Sequence, residues 1–170
     1  MNIIELLVKE LDSETAITRK MLSCVSDEDF DWQPHPKSMT LRRLTTHLAD
    51  LGNWFGMTLN TSELDFETTD WKEEVINDTP ALLNYFEKSA ANGRTQLQQA
   101  TEPQLQETWT LRSGAHVLSH TTKYEMIRII IGQMIHHRAQ LGVFLRLLNI
   151  AIPGTYGPSA DEMPAEPVTH

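Results

Sequence analysis

Four stretches of this chain repeat apolar residues every three or four positions, and three joints, two of them bearing proline, separate them. Such a spacing lines one face of a helix with hydrocarbon and leaves the other for water, so each stretch must be covered by its neighbours. The first runs from Asn2 to about Ser26 through Ile3, Ile4, Leu7, Leu11, Leu22 and Val25. The second, capped by Ser38 or Thr40, carries Leu41, Leu44, Leu48, Leu51 and Phe55, a bundle seam. Asp78-Thr79-Pro80 starts the third with a cap residue and an early proline, and it continues through Leu82, Leu83, Phe86, Ala90 and Leu97 to near Thr101. The fourth, from about Thr121 to Asn149, is the longest and most apolar. Asp29 to Lys37, with two prolines, reads as a structured crossover, and Asn60 to Asp78 as an acidic loop with at most one short helix. Trp109 to Leu118 alternates loosely about Ser113-Gly114, a hairpin signal, and the chain from Ala151 reads as an extended tail. The expectation is one all-α domain over residues 1–170, a four-helix bundle with a long crossover and an extended C-terminal tail.

Composition narrows the function classes. Twenty leucines against six valines favour helix over sheet. Fourteen basic against 23 acidic residues leave a net charge of −9, a poor footprint for nucleic acid or an anionic membrane. No apolar run is long enough to cross a membrane, and the acidic start MNIIELLVKELDSE does not read as a signal peptide. The single cysteine, Cys24, excludes an internal disulfide and fits a reducing, cytoplasmic compartment. It has no basic activator nearer than Arg19 and Lys20, so it is not read as a nucleophile.

Seven histidines are the one unusual chemical resource. His35 lies between prolines, His170 is terminal, and His116 and His120 fall in the joint before the fourth helix, where surface or turn roles are expected. His47, His136 and His137 lie in apolar helical segments. Neighbours on a helix diverge by about 100°, so His136 and His137 cannot both face inward. Counting the fourth helix's inward stripe as Ile130, Gln133, Met134, His137, Leu141, Phe144 and Leu148 places His137 inside and His136 on the flank with Arg128 and Gln140. The polar groups expected inside are His47, His137 and Gln133, with the Asp50 carboxylate one turn beyond His47. The four tryptophans are expected in the core or over the site.

The segment WQPHPKSMTLRRLTTHLADLGNWF, followed at long range by IIGQMIHHRAQLGVFLRLLNIAIPGTYGPSADE, resembles the DinB/YfiT-like superfamily of metalloenzymes over nearly the whole chain. The resemblance implies a four-helix bundle, often a homodimer, that binds nickel, zinc or iron through three histidines. It also implies a small-molecule substrate, with thiol-dependent transferase, isomerase or hydrolase chemistry. The family's name refers to induction by DNA damage, a stress response, and implies no contact with DNA. Its last-helix pattern is H-x-x-x-H-R-G-Q. His137, Arg138 and Gln140 match the second half of that pattern, His47 matches the ligand on the second helix, and Gln133 stands where the remaining histidine belongs.

An amide oxygen is a poorer donor than imidazole for zinc or nickel. Three outcomes stay open at this point. In the first, metal is held weakly through His47, His137 and Gln133 with Asp50 or water. In the second, the site is a metal-free polar pocket that binds a small molecule without catalysis. In the third, His136 or His120 replaces the lost ligand after a local shift. Asp50, His136, Arg138 and Gln140 are the candidates for supporting the ligands or meeting substrate, although solvated or interhelical contacts are the plainer roles for Arg138 and Gln140.

Overall fold

Side-chain caps fix where the helices begin. A computed structural model describes residues 2–69 and 74–163. Asn2 and Glu5 form a reciprocal capping box at the start of α1, Ile3–Leu22. The Thr40 hydroxyl accepts from the Arg43 amide at 3.2 Å to start α2, Leu41–Asn60. The Asp78 carboxylate accepts from the Ala81 amide at 2.7 Å ahead of α3, Thr79–Gln99, with Pro80 in the first turn. A four-residue helix α4, Glu102–Leu105, follows, and Thr122 with Glu125 caps α5, Lys123–Leu147. The four expected helices therefore correspond to α1, α2, α3 and α5. A short 3-10 turn, Asp27–Asp29, leads into the Asp29–Lys37 crossover, which docks on α2 where the Leu41 amide donates to the Trp32 carbonyl.

The packing order differs from the order along the chain. α2 packs mainly on α3 and α5, and α1 packs on the same two, so α1 and α2 lie across the bundle from each other. The crossover exists to span that diagonal. Leu41, Leu44, Leu48, Leu51 and Phe55 of α2 are all buried, together with Leu7, Leu11, Leu82, Phe86, Ile127, Ile130, Met134 and Leu141. No helix among the described residues is long and apolar enough to cross a membrane.

The all-α expectation is corrected by a small sheet. β1, Glu63–Asp65, runs parallel to β2, Thr108–Ser113, and β2 pairs antiparallel with β3, His116–Thr122, in the order β1-β2-β3. The hairpin signal at Ser113-Gly114 marked the β2–β3 turn, where Gly114 adopts φ +54 and donates its amide to Asp65 at 2.9 Å. β1 lies within the acidic loop. Three residues are too few to show a period, and only the long-range register Leu64↔Leu111 makes them a strand. Trp109 anchors the sheet, fully buried, with its indole N–H donating to the Thr61 hydroxyl at 2.9 Å. The tail is not helical, as expected, yet it is tightly folded: the Asp161 carboxylate accepts from Arg146 and from the Ile152 amide, and Glu162 accepts from the Gly154 and Ser159 amides.

Candidate functional site

The α2 sequence has two faces. The leucine seam turns to the core, while His47, Asp50, Trp54 and Met57, at intervals of three, four and three, line a cavity of about 710 Å³. Met39, Arg43, Thr46 and Asn53 join them from the same region. Phe66 and Glu74 come from the segment between α2 and α3, and Tyr85 from α3.

His47 and His137, on different helices, are brought together. Their ring centroids lie 4.8 Å apart with planes at 83°. His137 is buried and His47 half-buried. Burial pushes both imidazoles below their ordinary pKa, favouring the neutral rings that can act as ligands or bases. The His137 Nδ1 lies 2.7 Å from the Gln140 Oε1. An amide oxygen only accepts, so Nδ1 carries the proton and Nε2 keeps its lone pair. Gln140 thus fixes the His137 ring through a bond within α5.

The other candidates fall elsewhere. Gln133 is exposed, not inward: the buried stripe of α5 passes through Met134 and His137. Four residues turn a helix by about 400°, so Gln133 is rotated about 40° from His137, off the edge of the buried face. His136 is exposed and meets only the edge of His137 among the described ring contacts, at 5.0 Å between centroids. Its flank assignment holds. Asp50 is buried, and its carboxylate accepts from Asn53 Nδ2 at 2.9 Å, Trp54 Nε1 at 3.1 Å and the Tyr85 hydroxyl at 2.5 Å. Arg138 is not at the site. It is 2% exposed and paired with Glu14 at 2.6 Å, with further bonds to Thr18 and to Tyr156 of the tail, so its work is joining α1, α5 and the tail. His120 lies on β3 against the Thr110 hydroxyl at 2.9 Å, and the His35 ring caps a local turn. Cys24 is held as a thiol, its pKa raised by burial. Of the tryptophans, Trp32 stacks edge-on to Phe144, Trp109 is core, Trp54 lines the cavity, and Trp71 is outside the described residues, as is His170.

Tyr85, Thr46 and Phe66 were not anticipated. Thr46 could have been read from its place one turn before Asp50. Tyr85 and Phe66 reach the cavity only through tertiary packing.

A divalent ion needs more than this pair supplies. Among the described residues no third His, Cys, Asp or Glu joins His47 and His137 as a metal-holding group. Asp50 does not join them in such a group, and Gln133 is a neutral amide in solvent. Two imidazoles fit as two ligands, and the set does not fit a tightly held resident ion.

The family model described as the DinB family matches residues 1–167. The chain belongs to the DinB family. Among relatives, the Bacillus subtilis protein YrdA is 23% identical over 156 residues, covering 91% of this chain and 89% of YrdA. A DinB-like protein from Bacillus cereus shares the fold with a TM-score of 0.69 at 21% identity, over 89% of this chain and 97% of that one. YfiT from Bacillus subtilis, described as a probable metal-dependent hydrolase with an unusual four-helix bundle topology, superposes with a TM-score of 0.67 at 15% identity, over 89% and 91%. The diagonal placement of α1 and α2 is thus part of a fold that DinB-family proteins share.

Proposed function

We propose that this DinB-family protein is a small-molecule-binding bundle whose His47–His137 pair borders the ligand cavity and holds a divalent metal weakly or not at all. The observation that carries this reading is the donor set: two touching imidazoles, an exposed amide in the third position, and no further His, Cys, Asp or Glu among the described residues that joins them. The cavity beside the pair is of the size that takes a metabolite.

A second reading is a metal-dependent transferase or hydrolase in which Gln133 completes a weak zinc, nickel or iron site. It is favoured by the Gln140 bond, which leaves His137 Nε2 as a donor, and by the metal-dependent hydrolase description of YfiT. No reaction step is derived through that ion, because the residues present do not form its full set of ligands. A reducing, cytoplasmic setting and a homodimer complete the proposal. The first rests on the lone Cys24, the second on the exposed apolar residues of α5.

Elemental analysis of untagged protein separates the two readings. The expected metal content is well below one equivalent, with no gain after dialysis against zinc or nickel. A stoichiometric ion that survives dialysis into metal-free buffer would overturn the first reading in favour of the second.

A further inference from the structure

Asp50 is the unusual charge in the cavity. It is 8% exposed, its three hydrogen-bond donors are all neutral, and no Lys or Arg among the described residues forms an ion pair with it. Neutral donors satisfy the oxygens without supplying a counter-charge, and a cation in the cavity would supply one. Nor does Asp50 join the histidines in a metal-holding group. One helical turn before it, Thr46 lines the same cavity, 3% exposed, and its hydroxyl has no hydrogen-bond partner among the described residues. Buried polar atoms are seldom left so. Two acceptors one turn apart, one of them anionic, suit a group that donates several hydrogen bonds and carries positive charge.

The rest of the wall agrees. Among the described lining residues Glu74 adds a second carboxylate, and Arg43 is the one cation. Trp54, Phe66 and Tyr85 supply aromatic rings and Met57 a polarisable thioether. Ring faces attract cations, and together with Met57 they cover an apolar body. An anionic ligand would meet two carboxylates, Asp50 and Glu74, against Arg43 among the described lining residues.

We propose, resting on the pocket reading above, that the cavity beside His47 recognises a small organic ammonium ion. Its N–H groups sit against Asp50 and Thr46, and its apolar part lies against Trp54, Phe66 and Met57.

The test is a charge series of one shape on the full-length protein: benzylammonium, benzyl alcohol and benzoate, followed through the Trp54 indole and His47 ring resonances. Benzylammonium is expected to bind saturably and at least about tenfold tighter than benzyl alcohol, the size of one charge-assisted hydrogen bond, with benzoate weakest. Asp50→Asn should remove most of that advantage, weakening benzylammonium far more than benzyl alcohol, and the near-isosteric Thr46→Val should weaken benzylammonium several-fold. If Asp50→Asn fails to fold, the charge series on the unaltered protein and Thr46→Val still decide. No saturable benzylammonium binding, equal or tighter binding of the alcohol or benzoate, or full benzylammonium affinity in a folded Asp50→Asn would overturn the proposal. A failed charge preference in a sound pocket shows as benzoate or benzyl alcohol moving the Trp54 and His47 signals. Failure of the pocket reading shows as none of the three compounds moving them.

Discussion

At the scale of single residues, Gln133 and His137 on α5 differ by a rotation of about 40°, and the first is exposed while the second is buried. Gln133 and His137 stand one turn apart, close enough for two imidazoles about 6 Å apart to converge on one ion. Gln133→His should therefore raise zinc or nickel affinity measurably in titration calorimetry. His47→Ala should abolish that gain and His136→Ala should leave it nearly intact. An unchanged affinity would mean that position 133 does not reach the pair. The same histidines predict a pH dependence. Burial holds both below the ordinary imidazole range, so over the interval between the folded and unfolded values the unfolded chain binds protons that the folded one does not. Stability should be full above about pH 6.5, fall as pH drops from there through the folded-state values, and level off below them. Thermal melts across that range should show the decline, and a His47→Gln, His137→Gln double variant should show less of it. A slope unaltered in the double variant would assign the effect to other groups.

At the scale of elements, the crossing of α2 and α3 depends on glycine. A Cβ on Gly93 would stand 2.5 Å from the Gly52 carbonyl oxygen, and one on Gly52 would stand 2.4 Å from the Ser89 carbonyl oxygen. Those contacts are with backbone, so the helices would have to separate. Gly132 on α5 has nothing within 4 Å of an added Cβ. Gly93→Ala should destabilise the fold by about 1–3 kcal/mol, the usual range for overpacking. Gly132→Ala should stabilise it by about 0.5–1 kcal/mol through helix propensity. Urea unfolding of the two variants checks both signs. Equal effects would mean that the α2–α3 crossing yields without cost. The β2–β3 hairpin and the folded tail act as braces around this bundle: Lys123, at the start of α5, donates to the Leu59 carbonyl at the end of α2 and to Glu107.

At the scale of the molecule, charge is distributed unevenly. The chain carries −9, yet α5 has no acidic residue after Glu125. Its exposed surface includes Ile129, Val143 and Leu147. Two acidic molecules could meet along that helix with less repulsion than elsewhere, and an isologous two-fold contact is the common arrangement. Light scattering should give twice the 19.4 kDa monomer mass at micromolar concentration. A Val143→Glu, Leu147→Glu variant should return it to the monomer mass. The unaltered protein at monomer mass throughout would count against the dimer.

The helices, their caps and the meeting of His47 with His137 were legible in the sequence because they rest on local rules. A period of three and four picks the buried face, a side-chain oxygen ahead of it starts the helix, and two histidines on buried faces of a bundle have few places to go. The tertiary structure alone decided the rest. Three residues of β1 have no period of their own and become a strand only opposite Leu111. Arg138 lies beside His137 in the chain, but a turn of about 100° sends it to Glu14 on the far side of α5. Tyr85 reaches Asp50 across 35 residues, and that closure of α3 on α2, rather than any motif, buried the carboxylate one turn from Thr46, whose hydroxyl has no partner among the described residues. Helical spacing specifies which face of each helix is apolar. Which polar side chains meet across helices depends on packing angles and distances that only the assembled bundle sets.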